Sequence, residues 1–198
     1  MPVTPRVALG FRVKSGWATT VLLAGPRSAP RVVDHRVTLL ADPDEPAARQ
    51  PYHEGVGTHE ARAANAVKRL VKSVERFAHR SVARLIADYR AAGHRVSGVG
   101  IVVGSVVDPA TIANDHIRAH AEEGRLFRTV ILEAARACRL PARVTVEKDL
   151  YAAAARALRT PAGGLKRRVA ALGEEIGPWR AEEKAAALAA WMVLATHD

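Results

Sequence analysis

The spacing of apolar residues predicts that the chain begins with three short strands. Two runs rich in Val, Leu and Thr, at residues 6–13 and 17–24, flank the polar triplet Lys14-Ser15-Gly16. This pattern predicts a β-hairpin whose turn conformation is supplied by the glycine. Residues 31–40 then alternate between apolar and polar side chains, which predicts a third, half-exposed strand.

A long loop and a long helix follow these strands. Residues 41–58 carry several prolines and glycines without any periodicity, so they predict a loop of unusual length. From residue 59 or 60 to about residue 92, apolar side chains recur at three- and four-residue spacing, and Gly93 follows the last of them. The spacing predicts one long amphipathic helix.

Two further strands are predicted on either side of a second helix. The run 96–103 is almost continuously apolar, which is typical of a central parallel strand that is covered on both faces. Asn114 or Asp115 is suited to cap a helix that continues to about residue 139, where a Leu-Pro pair ends it. Residues 143–147 then predict a fifth strand.

The C-terminal part of the chain is predicted to be helical. Residues 149–158 are rich in alanine, Gly163-Gly164 break the pattern, and residues 165–176 resume it. Pro178 suits the first turn of a final helix that runs to about residue 195. We expect this helix to have one apolar side, made of Leu188, Trp191, Met192 and Leu194.

This order of elements resembles the ribonuclease-H-like fold. That fold is shared in outline by retroviral-type integrases, Holliday-junction resolvases and the halves of actin-like ATPases and sugar kinases. The resemblance is one of topology and covers roughly residues 6–195. It implies an α/β fold with a mixed five-stranded sheet in the order 3-2-1-4-5, in which the first three strands form an antiparallel meander and the last two lie parallel to the first.

The catalytic carboxylates of ribonuclease-H-like nucleases are not kept. Those nucleases place a metal-binding Asp on the first strand and acidic groups near the end of the fourth, whereas residues 8–12 and 102–105 contain no carboxylate. Two-metal phosphodiester cleavage needs oxygen ligands for both ions, so the resemblance implies a domain without that activity. Glu182 and Glu183 stand where the family often has an Asp on its last helix, and a solvated first helical turn is the alternative explanation.

The length of 198 residues fits one domain over residues 1–198, with residues 163–198 as a helical segment packed on it. The single cysteine, Cys138, cannot form an intramolecular disulfide, which favours a reducing compartment. The apolar run at residues 185–195 is shorter than the about 20 residues that a spanning helix needs, and no leader segment is recognised. We therefore expect a cytoplasmic protein with no membrane partner.

Residues that the predicted fold gathers at one edge of the sheet form the first candidate site. Parallel strands 1, 4 and 5 end at the same edge, which is where open α/β sheets bind ligands. The residues at this edge are Lys14, Ser15, Gly104, Ser105, Glu147, Lys148 and Asp149. The turn 14–16 resembles the first phosphate loop of actin-like ATPases and is suited to hold an anion, although an ordinary hairpin turn explains the same residues.

Histidine and glutamate residues form a second candidate cluster, which consists of His53, Glu54, His116, His120 and Glu123. His116 and His120 are four residues apart on a predicted helix, and this spacing presents two imidazoles to zinc. A third ligand would come from His53 or Glu54. Because no Glu directly follows His116, the metalloprotease pattern is absent, and we assign no metal. Ordinary surface polarity is the alternative interpretation.

The long helix carries a basic stripe opposite its apolar side. The stripe consists of Lys68, Lys72, Arg76, Arg80 and Arg84. A phosphate backbone can follow such a stripe, and the formal net charge of +10 at pH 7 favours nucleic acid as a partner. A solvated helix face is the alternative, since GC-rich coding sequence also produces arginine in an alanine-rich chain.

The leading hypothesis is a non-catalytic ribonuclease-H-like domain that binds nucleic acid or a protein partner. One alternative is an enzyme of unknown chemistry that acts on a phosphate-bearing small molecule at the ends of strands 1, 4 and 5. Another is a divergent metal-dependent nuclease. A homo-oligomer is expected if Trp17, Trp179 and Trp191 form an exposed cluster. The sequence identifies no cofactor.

Overall fold

Five strands pair into one mixed sheet, and the computed structural model describes residues 6–58 and 60–196 of the chain. The strands are β1 Arg6–Lys14, β2 Trp17–Ala24, β3 Arg31–Leu39, β4 Arg95–Val103 and β5 Ala142–Val146. β1 pairs antiparallel with β2 and parallel with β4, while β3 lies antiparallel beside β2 and β5 lies parallel beside β4. The order β3-β2-β1-β4-β5 confirms the predicted fold class and strand order.

The helices of the described residues lie between and after these strands. They are α1 Ala61–Ala91, α2 Asp115–Ala137, α3 Leu150–Leu158, α4 Ala162–Ala171 and α5 Ala181–Ala195. Residue 59, one of the two predicted starts of α1, falls outside the described residues. The α2 helix begins where its cap was predicted, because the Asn114 side chain accepts a hydrogen bond of 3.0 Å from the backbone N–H of Ile117.

The helices cover the sheet on both faces. Alternate residues of a strand point to opposite faces. In β1, Leu9 and Phe11 accordingly join the core that includes α1 and α2, whereas Ala8 joins the core that includes α3, α4 and α5. The sheet therefore has two separate hydrophobic cores, one on each face.

The α5 helix packs unusually close to the centre of the sheet. A Cβ atom added at Gly10 of β1 would lie 1.8 Å from the carbonyl oxygen of Ala186, and one added at Gly100 of β4 would lie 2.4 Å from that of Ala189. These two glycines therefore let the helix backbone approach the strands. Because other elements cover its remaining sides, every residue of α5 from Ala185 to Leu194 is buried.

Three expectations about the C-terminal segment are wrong. Gly163 and Gly164 do not break a helix but lie in the first turn of α4. The break comes earlier, at Arg159, whose left-handed backbone (φ 51) ends α3, and at Pro161, which precedes α4. Pro178 does not open the last helix, since α5 begins at Ala181. The single apolar side expected for α5 is replaced by burial all round.

The predicted long loop contains two short 3-10 helices, Pro46–Arg49 and Pro51–Gly55, and each begins with a proline. The condition set for a homo-oligomer, an exposed cluster of the three tryptophans, is not met, because Trp191 is fully buried and donates a hydrogen bond of 2.9 Å to the Arg27 carbonyl oxygen. Among the residues described here, none of the helices combines the length and the hydropathy needed to cross a bilayer.

Candidate ligand cleft at the ends of the strands

A cleft of about 250 Å³ lies where β1 and β4 end. Four of the seven residues predicted for this edge line it, namely Lys14, Ser15, Gly104 and Ser105. Arg12 and His120 line it as well, so residues of β1, of the turn after β1, of the segment after β4 and of α2 meet there. The cleft is the place where the parallel strands direct their carboxyl ends.

Arg12 also lies at this edge, although it was not among the residues predicted for the site. Its side chain is 7% exposed and forms two hydrogen bonds with the carboxylate of Glu147, from Nη2 at 2.6 Å and from Nε at 3.2 Å. The Nη1 group donates a third bond, of 2.7 Å, to the Val13 carbonyl oxygen. Glu147 does not line the cleft itself, but it is bonded to Arg12, which does. The Arg12 guanidinium lies near the end of β1.

A second ion pair joins the β1 end to α5. The Lys14 ammonium lies 3.5 Å from a carboxylate oxygen of Glu182, and both side chains are about one-third exposed. The pKa of Glu182 is lowered by a hydrogen bond from its own backbone N–H and by the positive charge of Lys14. Glu183 instead accepts a hydrogen bond of 2.8 Å from the Arg180 backbone N–H, so it caps the helix and does not enter the cleft.

Lys148 and Asp149, the remaining predicted edge residues, lie apart from the cleft. Both are exposed in the 3-10 helix Glu147–Asp149 that follows β5. Of the three residues in this turn between β5 and α3, Glu147 is the one that pairs with a residue of β1.

Three histidines meet at the α2 side of the cleft. The ring centroids of His53, His116 and His120 lie 4.6 to 5.0 Å from one another. The Nε2 atoms of His116 and His120 are 3.2 Å apart. Glu54, the other candidate third partner, is exposed and does not belong to this group. The 3-10 helix Pro51–Gly55 therefore places a histidine, not the neighbouring glutamate, against α2.

Glu123 lies beneath these rings and is completely buried. Its Oε1 atom is 2.7 Å from Nδ1 of His53, and its Oε2 atom is 3.6 Å from Nδ1 of His120. Burial raises the pKa of the Glu123 carboxyl, and the neighbouring histidines oppose this shift. The Nε2 atom of His53 and the Oε2 atom of Glu123 are buried without a hydrogen-bond partner in the described structure.

The basic stripe lies on a different surface from the cleft. All five of its residues are exposed, on the side of α1 that faces away from the buried Val74 and Val82. Within the described residues, only Arg84 among the five comes within 4.0 Å of a carboxylate, that of Asp88. The other four cations of the stripe face solvent.

The mixed sheet in the order 3-2-1-4-5, with helices on both faces, is the ribonuclease-H-like fold. Solved structures with a similar fold include RuvC from Thermus thermophilus, both in complex with Holliday junction substrate and in a second structure. Both have a TM-score of 0.54 and 14% sequence identity, and the match covers 94% of this chain and 91% and 92% of the RuvC chains. At this identity the likeness shows the fold alone.

The sequence itself matches no protein-family model and no curated protein. The ribonuclease-H-like assignment therefore depends on strand order and packing, not on conserved motifs.

Proposed function

We propose that the chain is a non-catalytic ribonuclease-H-like domain that binds nucleic acid through the basic stripe on α1. The observation that carries the proposal is the row of exposed cations at Lys68, Lys72, Arg76 and Arg80, which have no carboxylate within 4.0 Å among the described residues. From residue 68 to residue 84 the stripe rises about 24 Å along the helix axis, which corresponds to about seven base-pair steps of duplex DNA.

The pairing of charges at the β1 end supports a role without two-metal cleavage. In ribonuclease-H-like nucleases, the first strand carries an acidic metal ligand, whereas here Arg12 holds the end of β1 and neutralises Glu147. Lys14 likewise stands against Glu182. A cation already occupies the neighbourhood of each of these carboxylates, so a divalent ion would have to displace it.

The same pairing makes a phosphate-bearing small molecule a weaker candidate ligand for the cleft. The charges of Arg12 and Lys14 are offset by Glu147 and Glu182, which leaves the Ser15 and Ser105 hydroxyls as neutral partners. By contrast, four of the five stripe cations have no carboxylate within 4.0 Å among the described residues, so they can release counterions from a phosphate backbone.

Binding of fluorescently labelled DNA, measured by anisotropy over a range of salt concentrations, tests the proposal. The variant Arg76→Gln/Arg80→Gln removes two stripe cations and is expected to reduce the slope of log K against log salt by about 2. A duplex and a four-way junction are compared, because the RuvC neighbour is bound to a junction substrate.

The matched control is Arg156→Gln/Arg167→Gln, which removes the same charge from exposed positions on α3 and α4, across the sheet from α1. We expect this variant to keep most of the wild-type slope. No binding by the wild-type chain at low salt, or equal losses in both variants, would remove the stripe as the binding surface. Cleavage of either DNA in the presence of Mg²⁺ would contradict the non-catalytic role.

A further inference from the structure

The geometry points to a binding site for a divalent transition metal of the zinc type, formed by His53, His116 and His120. One ring nitrogen from each residue lies within 4.8 Å of the other two. Two nitrogens that bind one tetrahedral zinc at about 2.05 Å lie about 3.3 Å apart. The separation of 3.2 Å between the Nε2 atoms of His116 and His120 already matches this value.

The two elements that carry the ligands differ in a way that suits a metal site. His116 and His120 are one turn apart on α2, a rigid helix of 23 residues, so their spacing is fixed by the backbone. His53 comes from the 3-10 helix Pro51–Gly55, which packs against both α1 and α2. His116 and His120 are exposed, so their rings have room to rotate towards the His53 nitrogen, which lies within 4.8 Å of theirs.

Glu123 holds His53 in the orientation that a metal ligand requires. Its Oε1 atom accepts a hydrogen bond from Nδ1 of His53, which leaves Nε2 as the free ligand atom. That Nε2 atom is buried and has no hydrogen-bond partner among the described residues. Metal-binding histidines usually have their other nitrogen bonded to a carboxylate in this manner. Glu123 is therefore a positioning residue for the site.

A nearby divalent ion would also compensate for the burial of the Glu123 carboxylate. The carboxylate is completely buried, and its Oε2 atom lacks a hydrogen-bond partner in the described structure. A buried carboxylate in this condition is costly, because it has lost its hydration without full compensation. A cation bound to the three imidazoles would offset that cost.

The ligand set selects the class of metal and leaves one coordination position open. Three imidazole nitrogens favour zinc, cobalt, nickel or copper over magnesium or calcium, which prefer oxygen ligands. On α2, Asp115 and Glu122 are engaged elsewhere, Asp115 with Arg118 and Glu122 with Arg125. Three protein ligands with a vacant fourth position are typical of zinc sites that bind water or a substrate. Since His120 also lines the cleft, the site borders the cleft.

The metal site is independent of nucleic-acid binding by the stripe. The stripe residues are on the exposed side of α1, and none of them is a ligand. Loss of DNA binding in the Arg76→Gln/Arg80→Gln variant therefore leaves the metal proposal unaffected, and loss of zinc binding leaves the DNA proposal unaffected.

Zinc titration of the chelator-treated full chain by calorimetry tests the site. We expect the wild type to bind zinc with equimolar stoichiometry, and the melting temperature to rise, because the ion binds only the native state. His116→Ala and His120→Ala change exposed side chains, so both variants should fold and lose the binding. His79→Ala, which removes an exposed histidine from α1, is the matched control and should bind zinc as the wild type does.

Two further measurements separate a positioned site from a chance histidine pair. Glu123→Gln should lower zinc affinity by about 10–100-fold, as expected for loss of a carboxylate that orients a ligand. Cobalt should give the strong visible absorption of tetrahedral coordination in the wild type and lose it in His53→Ala. No binding by the wild type, or binding that survives in both His116→Ala and His120→Ala, would overturn the proposal, as would an octahedral cobalt spectrum.

Discussion

Charged groups on the α5 side of the cleft are paired, whereas those on the α2 side are left with unused bonding capacity. Arg12 is bonded to Glu147 and to the Val13 carbonyl oxygen, and Lys14 stands against Glu182. Across the cleft, Glu123 is more deeply buried than any of these carboxylates, yet its Oε2 atom has no hydrogen-bond partner in the described part of the chain.

The difference supports our proposal that a ligand binds on the α2 side of the cleft, and not on the side where the charges are paired. Buried polar atoms in proteins are nearly always hydrogen-bonded, so a buried atom without a partner calls for an explanation. On the α5 side, the protein satisfies its own charges, and an added ion would have to compete with them. On the α2 side, the metal ion that we propose would bind the unpartnered Nε2 atom of His53 and lie close to the Glu123 carboxylate.

The largest loss of stability is expected from a substitution that forces α5 away from the sheet. Gly10→Ala should lower the free energy of unfolding by about 3 kcal/mol, because the new Cβ would overlap the backbone of α5. Urea denaturation measures this change.

The control is Gly124→Ala on the α2 side, where a Cβ meets nothing within 4 Å. Removing a glycine from a helix should there raise stability by about 0.5–1 kcal/mol. Equal stability of the two variants would contradict the close approach of α5.

Removing the cation of the more buried pair should have the next largest effect. Arg12→Met leaves Glu147 without its bidentate partner and the Val13 carbonyl oxygen without a donor. Because Glu147 is 47% exposed, water replaces part of the loss, and we expect a destabilisation of about 1–2 kcal/mol. A double-mutant cycle with Glu147→Gln isolates the coupling between the two side chains. A coupling energy near zero would show that the pair does not hold the end of β1.

The exposed pair should contribute least. Lys14→Met is expected to change stability by at most about 0.5 kcal/mol, since both partners are partly solvated. The pKa of Glu182 is lowered in the folded chain, so its contribution is present above its ordinary pKa and is lost as pH falls through the lowered value. The difference between the wild type and Lys14→Met should therefore shrink on acidification. If the stability difference between the two proteins grows on acidification, the Lys14–Glu182 pair does not stabilise the fold through the ionised carboxylate.

The strands themselves were predictable because their determinants are local, whereas their order in the sheet was implied by the resemblance to the ribonuclease-H-like fold. The turn residue Gly16 has φ 83, as a tight hairpin requires, and the apolar run at β4 is long enough to show that both of its faces are covered. The character of α5 was not predictable in this way. Its burial all round depends on Gly10 and Gly100, which are remote in sequence and allow the helix to approach the sheet.

The candidate site was predictable only in part, for a similar reason. The i, i+4 spacing of His116 and His120 can be read from the sequence, but the choice of His53 over Glu54 as their neighbour depends on how the 3-10 helix packs on α2. Arg12 did give a signal, since it is the only charged residue inside β1, whose other two charges stand at the ends of the strand. A charge inside a buried strand needs a partner, and that partner is 135 residues away.

The position of α5 also has a consequence for the order in which the molecule is made. Its contacts with β1, β2 and β4 join the last described helix to strands that leave the ribosome much earlier. Until residue 195 has been synthesised, one face of the sheet lacks its cover, and Ala8, Val21 and Leu23 remain accessible to chaperones or to other nascent chains. Closure of the second core is therefore a late, long-range event, and truncations that remove α5 should aggregate during synthesis.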